Sequence, residues 1–173
     1  MPGAPHVYGD DITLRPVEPA DHEFLAKHWN HPDVRHGTNK HEPVTVQSLV
    51  EGKKDDCLYF LICHDGEPVG MEWLELAGDV HRRAELGGWV VPEESGQGFA
   101  TAAARLSVEY GFDELNLHKV YARVFDYNEA SKRLLRKVGF EEEGRVREHF
   151  YVDGEYVDAV FYGVLEPEYE RER

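Results

Sequence analysis

The sequence predicts an α+β domain built on one central mixed, mostly antiparallel sheet of six to seven strands flanked by about four helices. Three observations lead there. The apolar period changes from about 3.6 to 2 near residue 57, turn signals then recur at hairpin spacing, and a strand, a glycine loop and an alanine-rich helix follow as a crossover. With 173 residues, 41 % hydrophobic and 31 % charged, the chain can build one core without disulfide or metal support. No repeat or linker divides it, so residues 1–173 are expected to form one domain.

Asp11 to Pro16 alternates polar and apolar residues up to a proline, as a short first strand does. Pro19 to Trp29 then places Phe24, Leu25, His28 and Trp29 on one helical face, and Asn30-His31-Pro32 is expected to end that helix. A second helix is expected over Val46 to Lys54, with Thr45 as its N-cap. Cys57 to His64, Pro68 to Ala77 and Arg82 to Val91 read as a three-strand meander turning at Asp65-Gly66 and Gly78-Asp79. Ala100 to Phe112 reads as a helix and Leu117 to Phe125 as a strand. Asn128 to Val138 is a helix stopped by Gly139, and Phe140 to Leu165 is a hairpin turning at Asp153-Gly154.

Asp and Glu outnumber Lys and Arg by 34 to 19, a net charge of -15. That balance argues against a nucleic-acid partner or a membrane surface and is compatible with steering of cationic substrates. No apolar run reaches the roughly 18 residues of a membrane span, and the first residues carry no leader pattern, so a cytoplasmic protein is expected. Cys57 and Cys63, on one strand, would lie roughly 20 Å apart, beyond disulfide reach, and are expected as reduced core residues. His22, His28, His31, His36 and His41 lack a second ligand pair at metal spacing, so no metal is expected.

Gly96-Gln97-Gly98 lies between a strand and a helix start, where backbone N–H groups lack partners and the helix dipole is positive, a setting that binds phosphate. Ala100 keeps the surface small and Thr101 offers a hydroxyl. A third glycine for a dinucleotide fold is absent at Thr101, and so is the lysine of a nucleotide-triphosphate loop.

The blocks Ala84-Glu-Leu-Gly-Gly-Trp-Val-Val-Pro92, Ser95-Gly-Gln-Gly-Phe-Ala-Thr101, Asn128-Glu-Ala-Ser131 and Val138-Gly-Phe140, in this order and spacing, resemble the GCN5-related N-acetyltransferases. Trp29 to Val34, Glu143-Gly144 and Asp153 to Asp158 resemble the branch containing the ribosomal-protein alanine acetyltransferases. The resemblance covers roughly residues 10–168. It implies an acetyl-CoA co-substrate, an amine acceptor and a splayed fourth strand, Glu85 to Val91. It also implies that freed N–H groups near Val90 and Val91 receive the pantetheine and thioester carbonyl, while amides from Gly96, Gln97, Gly98 and Phe99 to Ala100 and Thr101 hold the pyrophosphate. The family pattern places Gln or Arg where Ser95 stands.

An amine attacking a thioester must be neutral, the oxyanion must be stabilised and the thiolate must be protonated. The family's tyrosine acid falls on Leu135. By resemblance Ser131 can replace it; the alternative is that Ser131 only bonds backbone in the first helical turn. Asn128 is an N-cap, a contact to the CoA arm, or both. Glu85, on one strand face with Gly87, Trp89 and Val91, is the first choice of general base, with Glu72 and the pair Glu148-His149 in reserve. With neither the tyrosine acid nor a compelling buried base, an α-amine, roughly a tenth neutral at pH 7, or a small amine is expected over lysine, and the resemblance implies a protein N-terminus. A small amine (antibiotic, polyamine or metabolite) or a non-catalytic CoA-binding module is the alternative, and the final strands offer a place for two copies to pair as a homodimer.

Overall fold

The computed structural model describes residues 3–171 and is an α+β fold. Its strands are β1 (Val7–Tyr8), β2 (Thr13–Pro16), β3 (Cys57–His64), β4 (Glu67–Leu76), β5 (Arg83–Val90), β6 (Lys119–Phe125), β7 (Glu141–Val152) and β8 (Glu155–Leu165). Its helices are α1 (His22–Trp29), α2 (Pro32–Gly37), α3 (Val46–Glu51), α4 (Phe99–Asp113) and α5 (Glu129–Val138). All eight strands join one sheet in the order β1-β2-β3-β4-β5-β6-β8-β7. Every neighbouring pair is antiparallel except β5 and β6, the pair joined through the α4 crossover.

The sheet has one strand more than the sequence suggested, because Val7 and Tyr8 pair with Leu14 and Thr13. The strand expected to splay is therefore fifth in the chain. A short helix was also missed: Pro32 does not end the helical region but occupies the first turn of α2, where its missing N–H costs nothing. His31 caps that turn, its Nδ1 accepting from the Asp33 N–H at 3.3 Å.

Helix α4 covers one face of the sheet, burying Ala103, Ala104, Val108 and Phe112 against residues such as Leu14, Leu74, Val120 and Val160. The early helices cover the other face, with Leu25 and Val34 packed against Leu61, Met71, Trp89 and Val91. Trp29 joins this second layer and stacks on Trp73 at 5.8 Å. Cys57 and Cys63 are buried free thiols.

The parallel register of β5 and β6 holds only for Arg83 with Lys119, Ala84 with Val120 and Glu85 with Tyr121. Beyond Glu85 the two strands part, while β5 stays paired to β4 as far as Val90 and β6 stays paired to β8 as far as Phe125. A split therefore opens in the middle of the sheet with a firm strand on either side.

Candidate active site

The split forms a cleft of about 300 Å³ that passes through the sheet. On the α4 side its wall is Ala100 and Ala104 of α4 with Ser131 and Leu135 of α5. On the opposite side it meets Trp73, Glu75, Glu85, Arg123 and Phe150.

Gly98 is the N-cap of α4 with a left-handed φ of 89°. The first helical hydrogen bond is Ala102 N–H to Gly98 O, at 3.0 Å, so the amides of Phe99, Ala100 and Thr101 have no intrahelical partner. Nothing lies within 4 Å of where a Cβ would stand on Gly96 or Gly98. The loop is exposed, and its one long side chain, Gln97, turns away to Glu94. An open ring of donors at a positive helix end fits a pyrophosphate. Phe99 contributes only its amide, since its side chain is buried beside Phe60 and lies tilted against the His64 ring at 4.5 Å.

The amides of β5 correct one expectation. Val91 N–H is engaged by Val69 O at 2.8 Å and so faces β4. Alternation then turns the N–H groups of Gly88 and Val90 towards the split, where no strand pairs with them. Gly88 and Val90, rather than Val91, are the donors available to a carbonyl or pantetheine amide.

On α5, Asn128 is the N-cap, its Oδ1 accepting from Ser131 N–H at 3.1 Å. Asn128 and Ser131 both line the cleft, and the Ser131 hydroxyl has no protein partner among the described residues. Leu135 is 4 % exposed and aliphatic, so the place of the family's tyrosine carries no donor.

The three base candidates separate. Glu85 faces the open side of the cleft and accepts from Arg123 Nε at 2.7 Å. Arg123 also approaches His149 Nε2 at 3.5 Å, so two separate sequence candidates meet at one guanidinium. Glu148 is exposed, with φ of 48° and its N–H on Asp158 Oδ1 at 2.8 Å, and it does not line the cleft. Glu72 lies on the α4 face, 4 % exposed, and accepts from Ser107 Oγ at 2.5 Å. Burial pushes its pKa up to about 8, with Ser107 partly offsetting that rise.

That shift has a consequence for stability. Between about pH 4.5 and 8 the folded protein holds the Glu72 proton, whereas the unfolded chain has lost it. The unfolded state thus binds fewer protons and stability falls as pH rises through this window, the loss being complete above the folded-state pKa. Denaturant titrations at pH 5 and pH 8.5 should show a loss of a few kcal/mol in the wild type that Glu72→Gln reduces by more than half.

Sequence reasoning missed Arg123, Glu75 and Ser107. Arg123 could have been found by its position two residues beyond the register of Glu85. Ser107 carries no local signal, since it reads as one more small residue in an alanine-rich helix. Among the described residues no three His, Cys, Asp or Glu side chains are grouped to hold a metal ion. No described helix is long and apolar enough to cross a membrane.

Comparison with known proteins agrees with this geometry. Residues 11–141 match the family model described as an acetyltransferase (GNAT) domain. The chain is 39 % identical over 164 residues to spermidine N(1)-acetyltransferase of Escherichia coli strain K12, spanning 91 % of this chain and 88 % of that one. It is 38 % identical over 112 residues to the putative ribosomal N-acetyltransferase YdaF of Bacillus subtilis, 65 % of this chain and 61 % of that one. Spermidine N-acetyltransferase from Vibrio cholerae, solved with CoA and spermine, superposes with a TM-score of 0.86 at 27 % identity, covering 92 % of this chain and 98 % of that one. The split sheet, the open glycine loop and these similarities have one explanation: the chain belongs to the GNAT acetyltransferases and is an acetyl-CoA-dependent N-acetyltransferase.

Proposed function

We propose that the acceptor is a small polyamine, a flexible chain bearing two or more ammonium groups, and that Glu85 receives the proton of the reacting nitrogen. The observation that carries this reading is that Glu75 and Glu85 are direct cross-strand partners on the open side of the cleft. Carboxylates so placed have Cβ atoms about 5 Å apart and repel each other unless cations lie between or beside them. Lys54 serves Glu75 at 2.7 Å and Arg123 serves Glu85 at 2.7 Å. Such partly exposed pairs contribute about 0–1 kcal/mol, so a polycation can exchange with them at small cost. Trp73 and Phe150 add apolar and aromatic surface suited to methylene spacers and to cations. The net charge of -15 favours encounter with such a molecule, and the likeness to spermidine acetyltransferases supports the same class.

A protein N-terminal α-amine is the second reading. It is favoured by Ser131 with Leu135 in α5 and by the likeness to YdaF. Release of free thiol from acetyl-CoA, followed with spermidine, spermine and N-terminal tripeptides, separates the two. Polyamines should exceed peptides by about tenfold or more in kcat/KM, the scale of one charge contact. Glu75→Gln should raise KM for spermidine by about five- to tenfold with little change in kcat, and high salt should shrink the difference. Turnover of peptides with none of polyamines would replace the first reading by the second.

A further inference from the structure

We propose that the Glu72 carboxyl is the acid that gives a proton to the departing CoA sulfur, with Ser107 as the residue that orients it. The inference rests on acyl transfer from acetyl-CoA and not on the choice of acceptor.

Leaving-group protonation lacks its usual residue in this chain, because Leu135 lines the cleft where a phenol would stand. Glu72 lines the same cleft from β4, on the face shared with Ala100 and Ala104. One carboxyl oxygen is bonded to Ser107 Oγ at 2.5 Å. The other has no protein partner among the described residues, yet it is not among the fully enclosed unsatisfied atoms, so it borders open space. Its cross-strand partner is Gly88, whose amide faces the split. A Cβ on Gly88 would stand 2.8 Å from Met71 O and 3.3 Å from Glu72 Cγ, so a side chain there would crowd Glu72 from the β5 side. The groups around Glu72 are Phe60 and Ile62 of β3, Gly88 of β5 and Ser107 of α4, and no charged side chain bears on it.

The step balances. As the amine nitrogen bonds to the carbonyl carbon, the carbon–sulfur bond breaks and sulfur keeps the electron pair. The Glu72 O–H proton passes to that sulfur, giving the CoA thiol and a carboxylate. The nitrogen gives its proton to Glu85 on becoming an amide, and the Glu72 carboxylate is reprotonated from water as Glu85 returns its proton to solvent. A carboxyl raised to about 8 is protonated at pH 7 and is close to a thiol of about 8.5, the match that favours transfer between them.

The test compares acetyl-CoA with its selenium analogue, whose selenolate leaves without needing a proton, using the full chain and whichever amine the wild type turns over best. Glu72→Gln, which keeps the shape and the bond to Ser107, should lower kcat with acetyl-CoA about 100-fold. KM for acetyl-CoA should stay within about twofold and the rate with the selenoester within about threefold. Ser107→Ala should lower kcat about fivefold and move the basic limb of the pH profile upward, because it removes a bond that favours the carboxylate. Equal losses with both donors would mark Glu72 as a base or a structural group and overturn the proposal. So would a donor-selective loss in Ser131→Ala with none in Glu72→Gln. Should Glu72→Gln not fold, an unmoved pH profile in Ser107→Ala overturns it as well. Failure of the polyamine reading would appear separately, as a different best amine with the same donor ratio.

Discussion

Gly98→Val should weaken acetyl-CoA binding by about 100-fold while lowering stability by only about 1–2 kcal/mol, the cost of a left-handed residue with a side chain. Gly98 sits at φ of 89° at the head of α4, with open space where its Cβ would be. The added Cβ therefore meets no protein atom within 4 Å. Its effect falls on the ligand, because a branched side chain would occupy the space in which phosphate oxygens approach the amides of Phe99 to Thr101. Gly98→Ala, with one added carbon, should show an intermediate loss of about tenfold. Calorimetric titration with acetyl-CoA beside a denaturant curve separates the two effects, and near-wild-type affinity in Gly98→Val would remove the loop from the cofactor site.

The largest expected effect on stability lies elsewhere. Arg15 and Asp21 form a buried bidentate pair, with both N–O distances at 2.7 Å, and Glu18 N–H adds a third bond to Asp21 at 2.8 Å. Burial alone would raise the Asp21 carboxyl, but the guanidinium and this backbone donor outweigh it and hold the carboxyl below its usual value. Arg15 is in β2, opposite Leu61, and Asp21 immediately precedes α1, so the pair fixes the helix that covers Met71 and Trp89. Asp21→Ala leaves a guanidinium that is 4 % exposed without its counter-charge, which costs about 3–5 kcal/mol. In a chain of this length that lowers Tm by roughly 10 °C. The double variant Arg15→Met with Asp21→Leu should recover most of the loss, since an apolar pair of similar size avoids desolvating any charge. A fall of under about 1 kcal/mol in Asp21→Ala would show that the pair is solvated and not structural.

Local signals in the sequence were sufficient at several caps and turns, though not for β1 or α2. Asn128 caps α5 and Gly139 ends it with φ of 110°. Thr45 caps α3 through a bond from Ser48 N–H at 3.0 Å, and Asp65-Gly66 and Asp153-Gly154 turn with positive φ at both residues. These outcomes depend on atoms within four residues of one another. The insertion of β8 between β6 and β7 was not legible, because a hairpin reads the same whichever of its strands meets the sheet. Nor were the fates of the acids. Glu72, Glu75 and Glu85 are alike in sequence, but one is buried against Ser107, one pairs with Lys54 and one with Arg123.

By itself the sequence determined most of the elements, the open glycine turn at Gly96 to Gly98 and the acyl-transfer family, because each is written in spacing along the chain. Only the tertiary structure decided which carboxyl stays protonated, which face the open side of the cleft and which β5 amides point into the split. Those properties depend on burial and on neighbours some 35 residues away, such as Ser107 to Glu72. Strand pairing sets those distances, and the dielectric they impose governs where a proton rests.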